Sequence, residues 1–230
     1  MKPLNQSFNW QEAVSNTWNN NAAKWDERSR RMWEQGSRKD ILPFIRPHFV
    51  KGTNVLDVGC GSGYGTVKLH EAGYHLTGVD ISKEMIRLAN QYRQQEDIMF
   101  TQADVNGLPF ADESFDGITS INVLEWTNIP VKALAELTRI LKSDGLLCVG
   151  ILGPTAGPRA NSYRRVYGED VILNTMMPWE FLQLAQEQGY ELIDHRPVWK
   201  QEMGQIEHQA LPIKMQQALS FMWLFMLQKK

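Results

Sequence analysis

The sequence predicts an α/β fold, a largely parallel sheet with helices packed on both faces. Three observations carry that expectation. Short β-branched runs alternate with helical patterns across most of the chain, and parallel neighbours need such crossovers. The first of these runs ends in a glycine cluster, "VLDVGCGSGYGT" (Val55–Thr66). Acids then recur at three successive strand ends, as Asp57, Asp80 and Asp104.

The first 50 residues read as a helical extension ahead of the sheet, with residues 51–230 as the main domain. "AAKWDERSRRMWEQGSRKDILPFI" spaces Trp25, Met32 and Trp33 for one helical face, and Pro43 and Pro47 place its end near Phe49. "TNVLDVG" is a buried strand ended by glycine, and "YGTVKLHEAG" is a helix stopped by Gly73. "YHLTGVDIS" is the second strand, and "KEMIRLANQYRQQ" is a helix capped by Ser82. "IMFTQADV" and "FDGITSINVLEW" hold the third and fourth strands. "PVKALAELTRILKSDG" is a helix with proline at its start and glycine after its end, followed by the strand "GLLCVGIL". Residues 153–177 break the rhythm with prolines, tyrosines and arginines, as binding loops and lids do. After the helix "PWEFLQLAQEQG" come "YELIDHRPVWK" and the apolar "LSFMWLFMLQKK", which suits a strand buried inside a sheet.

Composition removes several classes. A net charge of −2 does not indicate a nucleic-acid binder. Cys60 and Cys148 form no Cys-x-x-Cys pair, and no histidines stand at metal spacing, so no metal site is expected. Two cysteines in 230 residues favour a reducing compartment. "MKPLNQSFNWQEAV" lacks the apolar stretch of a secretory signal, and "LSFMWLFML" is too short to span a membrane. The expectation is a cytoplasmic protein.

The glycine cluster sits where open parallel sheets bind ligands, beyond the carboxyl end of a strand. Asp80 lies 21 positions after Gly59, suitably placed to accept both hydroxyls of a ribose. That spacing also fits a nicotinamide dinucleotide site. The glycines discriminate: Gly59-Cys60-Gly61-Ser62-Gly63 gives G-x-G-x-G, and the dinucleotide pattern G-x-G-x-x-G fails from both Gly59 and Gly61. Asp57 would repel a phosphate and suit a cationic group.

"VLDVGCGSGYGT", "TGVDIS", "FTQADVNGLPFADESFD" and "LTRILKSDGLL" resemble the successive motifs of class I S-adenosylmethionine-dependent methyltransferases, near the ubiquinone and menaquinone biosynthesis enzymes. The resemblance covers about residues 55–151. It implies a Rossmann-like seven-stranded sheet of order 3-2-1-4-5-7-6 with the last strand antiparallel. It implies S-adenosyl-L-methionine as cofactor and S-adenosyl-L-homocysteine as product. Asp57 and the loop of Gly59, Cys60, Gly61 and Gly63 would hold the methionyl end. Asp80 would hold the ribose, with Ile81 packed on adenine. Asp104 would bind the adenine amino group, with Val105 nearby, and Asn122 would lie under the methionyl portion through its backbone. Relatives often carry histidine after "VLE", where this chain has Trp126; that removes a ready base and leaves an aromatic face beside the sulfonium. Glu125 is the acid left in that position, and no catalytic residue is assigned.

The acceptor is expected to be a small apolar or aromatic molecule, entering under a lid built from the N-terminal helices and residues 153–177, with Tyr163, Tyr167 and Trp179 at hand. Trp18, Trp25 and Trp33 read as a packing face, and Arg159, Arg164 and Arg165 as a solvated patch. The alternatives are a methyltransferase acting on tRNA or protein, a nicotinamide-dependent oxidoreductase, and a non-catalytic cofactor-binding protein.

Overall fold

The computed structural model describes residues 8–92, 97–200 and 210–230. The predicted run of the second crossover helix through Gln95 extends beyond the described residues, as does the sequence reading up to Ser7.

Seven strands make one sheet: β1 (Asn54–Val58), β2 (His75–Asp80), β3 (Met99–Gln102), β4 (Phe115–Ile121), β5 (Leu141–Leu152), β6 (Tyr190–Trp199) and β7 (Ser220–Lys229). Their order is β3-β2-β1-β4-β5-β7-β6, parallel from β3 to β5, with β7 antiparallel to both β5 and β6. This is the order that the motif resemblance implied.

The sheet is sandwiched because its central strands are apolar on both faces. In β7, Trp223, Phe225 and Leu227 enter one core while Met222, Leu224 and Met226 enter the other. The first core is closed by α5 (Pro130–Ile140) and α6 (Pro178–Glu187), through Leu134, Leu137 and Phe181. The second is closed by α2 (Ile41–Ile45), α3 (Tyr64–Glu71) and α4 (Lys83–Ala89), through Phe44, Leu69 and Ile86. Truncating a side chain as buried as Trp223 would cost about 3–5 kcal/mol.

Three boundaries differ from the sequence expectation. The helix α5 stops at Ile140, not just before Gly145: Leu141 turns extended, pairs with Phe115, and Lys142 then binds Asp116. Asp144 adopts a left-handed conformation with φ of 61°. The N-terminal pattern splits into α1 (Trp10–Glu34) and α2, and Pro43 sits within the first turn of α2, where proline is tolerated. A short helix, α7 (Ile213–Leu219), precedes β7. Among the described residues, no helix is long and apolar enough to cross a membrane.

Candidate functional site

The site is built at the carboxyl ends of β1, β2 and β4. The chain leaves β1 through the glycine loop, where the backbone N–H groups of Gly59 and Cys60 both donate to Val79 O, pinning the loop to β2. Gly63, at φ of 88°, opens α3. A Cβ there would stand 3.0 Å from Ala89 Cβ and 3.1 Å from Phe100 Cζ, in a conformation that side-chain-bearing residues avoid.

A cleft with about 1020 Å³ of empty space, counting its open mouth, lies over these strand ends. Nine of the ten cofactor positions named from the sequence line it: Asp57, Gly59, Cys60 and Gly61 after β1, Asp80 and Ile81 at β2, Asp104 and Val105 after β3, and Asn122 after β4. Gly63 does not line it; its role is the start of α3 and close packing on Ala89.

Each acid is set by its own strand end. Asp57 is 7% exposed, and its two oxygens accept from Thr66 Oγ1 at 2.6 Å and Thr119 Oγ1 at 2.8 Å. Burial pushes its carboxyl upward, opposed by the two hydroxyls and by the charge of Arg38. Asp80 accepts from Gly61 N at 3.0 Å and Ser82 N at 2.8 Å. Burial outweighs these bonds and raises its pKa to about 6. Asp104 Oδ1 accepts from the backbone and side-chain nitrogens of Asn106. Asn122 holds φ of 57°, an uncommon conformation with a side chain, fixed by its N–H to Gly150 O and its amide to the same carbonyl.

The roof is α1. Trp10 Nε1 donates to Trp126 O at 2.6 Å, and Ser15 Oγ donates to Ile81 O at 3.2 Å. Asn19 Oδ1 accepts from Ser82 Oγ and Glu84 N, over the N-cap of α4, where Ser82 Oγ accepts from Met85 N as expected. At the far end Tyr64 OH donates to Glu34 Oε1 at 2.6 Å. Only Val14, Ala22 and Ser29 of this helix are fully buried. Trp10, Trp18, Trp25 and Trp33 face the cleft together with Trp126, so the tryptophans expected as a packing face wall a cavity. A helical repeat marks a face but not whether protein or ligand fills the space beneath it.

Residues 153–177, expected to share the lid, supply none of the residues lining the cleft among the described residues. Tyr163 and Tyr167 are exposed. The segment is instead a brace. Arg159, expected in a solvated patch, is 8% exposed and donates to the carbonyls of Leu152, Gly153, Asn174 and Met176. Asn174 in turn donates from its backbone to Glu125 O and from its amide to Leu124 O and Thr127 O. It thus clamps the 3₁₀ turn Leu124–Trp126 that presents Trp126. Glu125 is fully buried outside the cleft lining, with Oε1 accepting from Leu152 N, and is not placed to act as a base there.

A "Methyltransferase domain" family model matches residues 56–149. That stretch, less than half of the chain, is similar to the methyltransferase domain family. Demethylmenaquinone methyltransferase of Renibacterium salmoninarum is 40% identical over 121 residues, covering 52% of this chain and 48% of that protein. The chain spans less than two thirds of the length of the first curated relatives it matches. The methyltransferase solved in complex with the Haloferax volcanii Trm112 methyltransferase activator superposes with a TM-score of 0.72 at 21% identity, covering 94% of this chain and 96% of that one. A Burkholderia thailandensis 1,6-didemethyltoxoflavin-N1-methyltransferase with bound S-adenosylhomocysteine gives a TM-score of 0.67 at 18% identity, covering 99% of this chain and 94% of its own. At those identities the two structures share the fold.

The methyltransferase motifs do not include one residue that this cleft displays. Arg38, just after α1, is 7% exposed and lines the cleft, its guanidinium 4.7 Å from the centre of the Trp25 ring. Burial lowers its pKa to about 10, opposed by the charges of Asp57 and Glu125, so it stays charged at neutral pH. Among the described residues no carboxylate lies within ion-pair distance of it. In the sequence it is one of five basic residues from Arg28 to Lys39, and nothing in that run marks it as the buried one.

Proposed function

We propose that the chain binds S-adenosyl-L-methionine in this cleft and transfers its methyl group to a small-molecule acceptor. The observation that supports this best is the pairing of opposite charges at one end of the cleft. Asp57 and Arg38, a buried carboxylate and a buried cation without an acid of its own, flank the glycine loop. That arrangement suits a zwitterionic amino-acid head, with Asp57 facing the ammonium and Arg38 the carboxylate. Asp80 would take the ribose hydroxyls and Asp104 the adenine amino group, with Ile81 and Val105 against the base and Asn122 beneath the methionyl chain. A diphosphate would meet Asp57 and Asp80, which disfavours a nicotinamide cofactor.

When bound, the cofactor supplies an activated methyl on a sulfonium whose departure leaves a neutral thioether. The chain's own part is positioning and exclusion of water. In this reading α1, from the N-terminal extension of residues 1–50, is the lid over the domain of residues 51–230, and residues 153–177 hold Trp126 from behind. Five tryptophans around a roofed cleft favour a small apolar or aromatic acceptor over a macromolecule. A screen of small-molecule, tRNA and protein fractions with labelled methyl donor tests this. Label in the small-molecule fraction supports it, and label confined to tRNA or protein overturns it.

A further inference from the structure

We propose that the end of the cleft walled by Trp10, Trp18 and Trp126 takes an uncharged nitrogen nucleophile, a tertiary amine or a flat aromatic nitrogen base, whose nitrogen becomes cationic on methylation. This rests on the methyltransferase reading above. Two features of the cleft carry it, its aromatic walls and the assignment of each of its acids to the cofactor.

Trp18 and Trp126 stand edge to face, 4.9 Å apart at 73°, and make a corner of two indoles. Trp10 is tied to that corner through its indole N–H on Trp126 O. Indole faces attract cations through the ring quadrupole, most strongly where water is excluded. Arg38 over Trp25 already uses that attraction, beside Gly61 and Asp57. The indoles of Trp10, Trp18 and Trp126 carry no charge; Gln11, Val14 and Thr127, close to them in the chain, also line the cleft, and Trp25 stands edge to face with Trp18 at 5.4 Å.

Each acid lining the cleft among the described residues is one that the reading above assigns to the cofactor, so none is left over to take a proton from the acceptor. Asp57 has a hydroxyl on each oxygen. Asp80 holds two backbone N–H groups and would take the ribose, and Asp104 holds Asn106 through Oδ1 and would take the adenine amino group. The Cys60 thiol is pushed well up by burial, and Arg38 offers no acceptor. No described histidine lines the cleft. A hydroxyl or acidic C–H acceptor must lose a proton to react; a tertiary nitrogen brings a lone pair and loses none. That lone pair forms the new N–C bond as the C–S bond of the sulfonium donor breaks. The bonding pair stays on sulfur as a neutral thioether, and the positive charge passes to nitrogen. A carboxylate also needs no base, but it would want a cation at the tryptophan corner, and the one arginine lining the cleft among the described residues sits over Trp25, not over Trp18 or Trp126.

The test uses the full chain saturated with S-adenosylhomocysteine and follows tryptophan fluorescence. N-methylquinolinium, a cation shaped like the product, is titrated against the neutral 1-methylnaphthalene of equal shape. The cation is expected to bind about tenfold tighter. Trp18→Leu should reduce that preference to below about threefold, while Trp126→Phe, which keeps an aromatic face, retains most of it. In parallel, labelled methyl transfer is expected to quinoline and not to 1-naphthol. Equal binding of cation and neutral ring, or transfer to 1-naphthol alone, overturns the proposal while leaving the cofactor site standing. Failure of S-adenosylhomocysteine itself to bind removes the cofactor reading and this proposal with it.

Discussion

Trp33 occupies the space into which a side chain at residue 65 would project: a Cβ built on Gly65 would stand 2.2 Å from Trp33 Cζ2. The fourth glycine of the cluster therefore seats α1 on α3. Gly65→Ala should force Trp33 out and loosen α1, destabilising the protein by about 1–3 kcal/mol. Thermal unfolding should show a fall of several degrees together with altered tryptophan emission. Gly107→Ala is the control, since nothing lies within 4 Å of the added Cβ; it should leave both signals close to the parent protein's.

Arg38→Ala removes the cation proposed to meet the methionyl carboxylate. Affinity for S-adenosylhomocysteine should fall by roughly 10- to 100-fold, the worth of a charge-assisted contact. Affinity for 5′-methylthioadenosine, which lacks the amino-acid head, should change by less than about threefold. Calorimetry with both nucleosides checks the difference. Equal losses for the two would place Arg38 in the framework of the cleft instead.

The pKa of Asp80, raised by burial to about 6 from an ordinary value near 3.8, fixes a pH dependence. In the free protein the native state holds this proton more tightly than the unfolded chain. Its stabilising contribution is therefore complete below about pH 4 and lost as pH rises through about 6. Ribose hydroxyls need the ionised acceptor, so binding should run the other way. S-adenosylhomocysteine affinity should be constant above about pH 7 and about tenfold weaker at pH 5. Asp80→Asn should bind weakly at every pH with no such step.

Much of the fold was legible because its signals are local. β7 could be read from "FMWLFML" because a strand buried on both faces shows no alternation. The glycine loop could be read because Gly59-Cys60-Gly61-Ser62-Gly63 follows an apolar run and precedes a helix. The rest depends on where elements land. Trp18, Trp25 and Trp33 mark one face of α1, but only the docking of α1 over Ile81 and Ser82 turns that face toward a cleft. Arg38 and Arg159 look like surface charges in sequence. One is buried by the turn between α1 and α2, the other by four carbonyls that meet only in the folded chain. The end of α5 was misplaced because "LKSDG" carries a helix-stop glycine, while the pairing of Leu141 with Phe115 overrides it.

Arg159→Met keeps the bulk of the side chain but leaves the carbonyls of Leu152, Gly153, Asn174 and Met176 without their donor. The cost should be on the order of 3 kcal/mol, read from urea unfolding. Because Asn174 clamps the turn carrying Trp126, the variant should also shift tryptophan emission in the folded state, although residue 159 lies outside the cleft lining. An unchanged emission spectrum in a destabilised variant would separate the brace from the cleft.

The decisive check of the cleft is isothermal titration of S-adenosylhomocysteine into the wild-type chain and Asp80→Ala at pH 7.5. A saturable heat of one equivalent per chain, largely lost in the variant, with no heat from NADH, is the expected outcome. No heat from S-adenosylhomocysteine, or saturable heat from NADH alone, would contradict the assignment of Asp57, Asp80 and Asp104 to a sulfonium nucleoside site.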